Sequence, residues 1–175
     1  RVAFVASEKP EMSVSAKTNQ VEADMIAAMV ERIFRQADRF DYSATVGVIV
    51  PYRNQIATVR NAIDRYGIPA LHSITIDTVE RFQGSQRDYI IYGLTVQQRC
   101  QLNFLTDNVF EEDGTLIDRK LNVAMTRARK HLTIVGNPDI LAGSAVYRRL
   151  MDFMKSRGCY FNVACEKFCA GDFSV

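Results

Sequence analysis

The chain has 175 residues, 47% of them apolar and 24% charged, with a net charge of +2. A chain of this size and make-up buries a core as one ordinary domain, or one with a short appendage. That excludes disordered, collagen-like and low-complexity classes. No apolar stretch approaches the ~20 residues a membrane helix needs, and no charged-then-apolar leader opens the chain, so a cytoplasmic protein is expected. The chain starts at Arg1 without an initiator Met, and a piece of something longer is expected. Its charge balance gives no hint of a partner. The usual meaning of the basic cluster Arg119, Lys120, Arg127, Arg129, Lys130 and His131 is a solvated helix face.

Val2–Val5 is short and apolar and reads as a strand. Asn19 with Glu22 three residues later resembles a capping box, and Val21, Met25, Met29 and Ile33 recur every fourth position, which predicts a helix from about Gln20 to Gln36. Val46–Val50 is apolar throughout and ends at Pro51, as a strand covered on both faces of a parallel sheet would be. Ile56, Val59 and Ile63 mark a helix that Gly67 can stop. Ser73–Val79 and Tyr89–Val96 read as strands. Gln97–Asp118 is polar and reads as a long irregular loop, a length that is usually functional or mobile inside a compact domain. A helix is expected from about Arg119 to Lys130, with Leu121, Ala124, Met125 and Ala128 as its core stripe. The strand Leu132–Val135 follows, broken by Gly136-Asn137-Pro138. The last helix is expected from about Ser144 to Arg157, with Val146, Tyr147, Leu150, Phe153 and Met154 inward, and Gly158 ends it. Strands alternating with helices predict an α/β domain with a mainly parallel sheet. Residues 159–175 are expected to be a tail or an edge element.

Ligands of open α/β sheets collect at the carboxyl ends of the strands. Three segments are expected there: Pro51–Gln55, Thr78–Asp88 and the helix opening near Arg119. In the second, Gly84 permits close backbone approach to a phosphate, and Gln83, Gln86 and Arg87 can hydrogen-bond phosphate or sugar oxygens; the bland reading is a solvated turn. On a regular helix Arg127 and Arg129 fall on opposite flanks of the core stripe, so at most one is a phosphate-charge stabiliser and the other anchors structure or a partner. No G-x-x-x-x-G-K-[ST] phosphate loop is present. His72 and His131 are the only histidines, and Cys159, Cys165 and Cys169 lack a fourth ligand by spacing. No metal site is therefore expected, and the thiols read as buried or incidental.

Taken together, GVIVPYRNQ (Gly47–Gln55), TVERFQGSQRD (Thr78–Asp88) and RKLNVAMTRAR (Arg119–Arg129) followed by IVGNP (Ile134–Pro138) resemble the second RecA-like motor domain of superfamily 1 helicases. The branch resembled is the one containing the nonsense-mediated-decay RNA helicase and its DNA-unwinding relatives. The resemblance spans roughly residues 13 to 157, and its second and third segments match motifs V and VI.

The resemblance implies a RecA-like three-layer fold of the P-loop NTPase type without its own phosphate loop, over residues 1–158. It implies the C-terminal half of an ATP-driven motor that translocates on single-stranded DNA or RNA. ATP and Mg²⁺ would be shared with a first RecA-like domain upstream, which would carry the metal ligands, and the present chain alone is expected to be inactive. Arg127 matches the motif VI arginine that contacts the γ-phosphate. Gly84 and Gln86 match the motif V nucleotide contacts, although position 86 is normally Glu; Glu80 stands where Asp is usual, and Arg81 where a small residue is frequent. Gln55 is placed near the nucleotide and the domain interface. Pro51, Tyr52 and Thr78 match strand-end positions facing the bound strand. A second reading is a non-catalytic binding module that kept the fold. A third, a doubly wound small-molecule enzyme, needs a glycine-rich turn after the first strand, where Ala6-Ser7-Glu8 stands instead.

Overall fold

A computed structural model describes residues 1–11, 15–82, 86–107, 109–112 and 115–171. Strands β1 (Val2–Ala6), β2 (Val46–Val50), β3 (Thr75–Thr78) and β4 (Arg87–Gly93) belong to one sheet, and β5 (Val109–Glu112) with β6 (Thr115–Asp118) forms a separate antiparallel hairpin. Strands β7 (Ala128–Gly136) and β8 (Tyr160–Asn162) complete the main sheet, which has six strands in the order β3-β2-β4-β7-β1-β8, every pair parallel. The helices are α1 (Gln20–Gln36), α2 (Arg53–Asp64), α3 (Cys100–Thr106), α4 (Arg119–Arg127), α5 (Pro138–Leu141), α6 (Ala145–Ser156) and α7 (Cys165–Ala170).

Successive strand residues face opposite sides of a sheet, so a strand covered twice must be apolar at every position. Val5, Val48, Ile91 and Val135 pack with α1, α2 and α7 on one side. Their neighbours Phe4, Ile49, Ile90 and Ile134 pack with α3, α4, α5 and α6 on the other. The result is the three-layer RecA-like architecture. Among the described residues no helix is long and apolar enough to cross a membrane.

The start of α1 is fixed by a buried polar network. The Asn19 side chain accepts the Glu22 N–H at 3.0 Å, the first half of a capping box. The reciprocal half is rerouted, because the Asn19 N–H goes to Gln55 Oε1 at 2.8 Å. The fully buried Glu22 carboxyl instead accepts from the Thr95 N–H at 2.8 Å and from the Ser7 hydroxyl at 3.1 Å. Thr95 has φ +57, in the left-handed region that a β-branched residue avoids, and the turn aims its N–H at Glu22. Burial pushes the Glu22 carboxyl from its ordinary 4.5 up to about 8, against the lowering effect of the Thr95 and Ser7 bonds.

Several sequence expectations change. The described residues of 97–118 are largely structured rather than an irregular loop: Leu102 and Leu105, three apart and buried, seat α3, and β5 and β6 follow. The helix that starts at Arg119, capped by Asp118 accepting from the N–H groups of Lys120 and Leu121, stops at Arg127 rather than Lys130. Ala128-Arg129-Lys130 are good helix formers, but Ala128 pairs opposite Arg87 and, after a bulge that holds Arg129 and Lys130 opposite Asp88, the ladder to β4 resumes at His131 opposite Tyr89, so tertiary pairing overrides propensity. The helical stripe therefore loses Ala128 to the strand, and Met125 is 47% exposed. Phe153 on α6 is likewise exposed, and Met151 takes the inward place.

A group whose folded pKa is raised stabilises the fold most below its unfolded value and loses that contribution as pH rises through the folded value. Stability is therefore expected to lose up to about 1.4 kcal/mol per pH unit through Glu22 between about pH 4.5 and 8, and to level off above. Glu22→Gln is expected to flatten this slope in urea titrations run across that range; an unchanged slope would refute the assignment.

Candidate functional site

An all-parallel sheet has two unlike edges, because every crossover leaves from the carboxyl ends of the strands and returns to the amino ends. The structure divides the expected site residues between these edges. Pro51 and Tyr52 follow β2, and Thr78 ends β3 in register with Val50, so these three share the carboxyl edge. Gln86 immediately precedes β4 and Arg127 immediately precedes β7, the adjacent strand, so both lie at the amino edge. The two groups are separated by roughly 20–25 Å along the strand direction at about 3.3 Å per residue. Pro51–Gln55, the start of Thr78–Asp88 and the opening of α4, whose Lys120 meets Phe104, do gather at the carboxyl edge; the far ends of the second and third segments, Gln86–Asp88 and Arg127, do not. Arg127 sits at the end of a crossover helix, and such a helix must finish at the amino edge.

At the amino edge, Phe82 anchors the connection that leads towards Gln86. It is buried against Gly47, where a Cβ would lie 2.5 Å from its ring, so only glycine admits it. The Arg87 guanidinium stands 5.6 Å from the Phe82 ring centre and donates to Thr75 Oγ1 and the Gln86 carbonyl, each at 3.0 Å. Gln86 Nε2 donates to the Thr126 carbonyl at 3.2 Å, one residue before Arg127. Lys130 and Arg129 are both drawn to Asp88, at 2.8 and 3.9 Å. Arg127 is half-buried, and its Nε is enclosed without a hydrogen-bond partner among the described residues. No described carboxylate lies within ion-pair distance of Arg127, whereas Arg129 stands 3.9 Å from Asp88; the Nε of Arg87, at the same edge, is likewise enclosed without a partner among the described residues. Gly84, with Gln83, lies outside the described residues.

Gln55 is turned into the fold. It is fully buried, and its carboxamide is used up by the Asn19 backbone: Oε1 accepts the N–H and Nε2 donates to the carbonyl, both at 2.8 Å. The nucleotide contact expected of it is corrected to a clasp between the start of α2 and the start of α1.

At the carboxyl edge Pro51 is buried and Tyr52 half-buried. The Tyr52 ring stacks on Phe104 of α3, with centroids 5.0 Å apart and planes 20° apart, and burial pushes its phenol up, so it stays neutral. Phe104 is 43% exposed, with Lys120 Nζ 4.2 Å from its ring centre and 2.6 Å from its carbonyl. Lys120 also pairs with Asp107 at 2.8 Å. Gln101 ties α3 down by accepting the N–H groups of Gln97 and Gln98 at 2.9 and 3.0 Å. Thr78 is buried, its N–H held by Asp77 Oδ1 at 2.9 Å. Arg53, Arg81 and Arg99 follow the ends of β2, β3 and β4, and all are exposed. Sequence reasoning missed Phe104 because it lies in a segment read as loop; the three-residue spacing of Leu102 and Leu105 around it was the available signal.

The sheet order and the two helical layers define a RecA-like domain, in a chain whose sequence holds no G-x-x-x-x-G-K-[ST] phosphate loop. A family model described as an AAA domain matches residues 2–139, and the chain belongs to that family, as the C-terminal RecA-like domain of a superfamily 1 helicase. It is 33% identical over 141 residues to helicase sen1 of Schizosaccharomyces pombe, covering 79% of this chain and 8% of that protein. It is 28% identical over 159 residues to a regulator of nonsense transcripts 1 homolog of Neurospora crassa, covering 89% of this chain and 13% of that protein. To the ATP-dependent helicase NAM7 of Saccharomyces cerevisiae it is 28% identical over 145 residues, 81% of this chain and 14% of that protein. The chain thus spans between 8 and 14% of the length of these relatives.

Gln55→Ala is expected to cost about 2–4 kcal/mol by leaving a buried N–H and a buried carbonyl of Asn19 unpaired. Thermal unfolding measures this; an unaltered melting temperature would show that the clasp contributes nothing.

Proposed function

We propose that this domain is the C-terminal motor half of an ATP-dependent helicase that translocates on single-stranded nucleic acid and unwinds duplexes. Its amino edge completes a nucleotide site whose phosphate loop belongs to a first RecA-like domain. The observation that carries this reading is the contrast at the end of α4, where Arg129 and Lys130 share Asp88 while Arg127 has no counter-charge among the described residues. A half-buried guanidinium without an ion-pair partner among the described residues suits an anionic oxygen. On a transferring phosphoryl group it stabilises charge spread over the equatorial oxygens. Mg²⁺ has no ligand group among the described residues. Its ligand carboxylates would come from the first domain, where the ion would neutralise phosphate charge.

Gln86 acts on the nucleotide through Arg127. Its amide donates to the carbonyl of the last turn of α4, a bond that a carboxylate cannot make. The arginine is thereby presented from a fixed turn. At the opposite edge the Tyr52–Phe104 stack offers aromatic surface to an unpaired base, and Arg53, Arg81 and Arg99 offer charge to its phosphates. These contacts position a strand without reading its sequence.

In the full-length protein Arg127→Ala is expected to reduce nucleic-acid-stimulated ATP hydrolysis by about 10³–10⁵-fold with little change in KM for ATP. Gln86→Glu is expected to lower kcat about tenfold in the intact protein and to do nothing further on the Arg127→Ala background. Unchanged turnover in Arg127→Ala would refute the motor reading and favour a binding module that keeps the fold. Tyr52→Ala and Phe104→Ala are each expected to weaken single-strand binding about tenfold, in line with the ~1–3 kcal/mol of a stacked base, as read by fluorescence anisotropy; undiminished affinity in both would remove the strand from this edge.

A further inference from the structure

On the sheet face away from α4 and α6, a solvent-open hollow of about 390 Å³ lies where α7 meets α1 and the end of α2. Two thiols of α7 line it. Cys165 and Cys169 stand one helical turn apart, each half-buried, with their Sγ atoms 3.8 Å from one another. Between them Phe168 is fully buried, its carbonyl bound by Arg32 and its ring 4.7 Å from the Arg32 guanidinium, so the turn that carries both sulfurs is anchored. Arg65 and Asp24, paired with each other, stand at the mouth with Tyr66 and Glu166.

Two sulfurs alone do not make a structural zinc site, which needs four ligands, and the described residues supply no group of three. What the pair does satisfy is the requirement for dithiol exchange: a partly exposed thiolate near cationic groups, with a second thiol within reach to resolve it. The two thiols are unequal. The contact with Cys165 holds Cys169 below the usual thiol value, helped by Arg32 and Arg65, against burial and Asp24. The same contact and burial push Cys165 up, and its Sγ lies 3.7 Å from the Val21 carbonyl, an acceptor for its S–H.

We infer that Cys165 and Cys169 form a modification site for low-molecular-weight disulfides of the glutathione type, with Cys169 as the attacking and Cys165 as the resolving sulfur. The Cys169 thiolate attacks one sulfur of the small disulfide, forming a mixed disulfide and releasing one small thiolate. Cys165 then gives its proton to solvent and attacks Cys169 Sγ, which expels the second small thiolate and closes the Cys165–Cys169 bond. Two protein thiols are oxidised and one small disulfide is reduced to two thiols. The sulfurs must approach from 3.8 Å to about 2.05 Å; residues four apart on a regular helix hold their Cβ atoms about 5–6 Å apart, beyond the ~3.5–4.5 Å a disulfide spans, so closure loosens the end of α7 beyond its Phe168 anchor. Cys100, exposed on α3, is the internal control for a thiol with no cysteine neighbour.

The test is exposure of the full chain to glutathione disulfide, followed by peptide mapping with mass spectrometry. The expected result is a 165–169 peptide lighter by two hydrogens, appearing at least tenfold faster than the glutathione adduct at Cys100. Cys165→Ser, which keeps a hydrogen-bond donor beside Cys169, is expected to stop at the glutathione adduct on Cys169. Cys169→Ser is expected to slow reaction at Cys165 to the rate of Cys100. Reaction of Cys169 no faster than Cys100, or an adduct that persists in the unaltered chain without closing, would overturn the inference. Neither result depends on ATP turnover or on nucleic acid.

Discussion

The parallel pairing of β4 with β7 is the constraint on which the candidate site depends. It ends α4 at Arg127 by drawing Ala128 into the ladder opposite Arg87. The same register brings Gln86 beside Thr126, so the residue that holds the last turn and the arginine that leaves it are set by one set of backbone bonds. A helix continued to Lys130, as propensity favours, would place Arg127 and Arg129 on opposite flanks of a cylinder and leave neither at a sheet edge.

Because all six strands run the same way, the domain presents two chemically distinct edges. One carries cations close to the ends of crossovers, of which Asp88 compensates Arg129 and Lys130 but not Arg127. The other carries the aromatic pair Tyr52–Phe104 with an arginine after each of three strand ends. Both are mounted on the same sheet, whose central strands β4 and β7 are buried on both faces.

Much of the fold was legible in the chain. The fourth-position repeat and the Asn19–Glu22 pair placed α1 at its observed bounds, and the uninterrupted apolar run Val46–Val50 announced a strand covered twice. These signals are local. The rest depended on partners distant in sequence. Gln55 looked like a ligand contact, yet its amide is consumed by Asn19, 36 residues earlier. The second half of the capping box was lost to the same clasp, which left Glu22 to meet Thr95 and Ser7 in a buried pocket. The motif match singled out Arg127 where helix spacing alone left Arg127 and Arg129 open; that Asp88 falls beside Arg129 is a matter of strand register and was not legible.

The central claim is that Arg127 completes a nucleotide site shared with a second lobe. A crystal structure of the two-lobed protein bound to ADP, Mg²⁺ and a planar γ-phosphate mimic tests it most directly. The account predicts an Arg127 guanidinium nitrogen at hydrogen-bond distance, about 2.7–3.1 Å, from the mimic, with Arg129 still drawn to Asp88. A mimic held by Arg129, or by no residue of this domain, would contradict it.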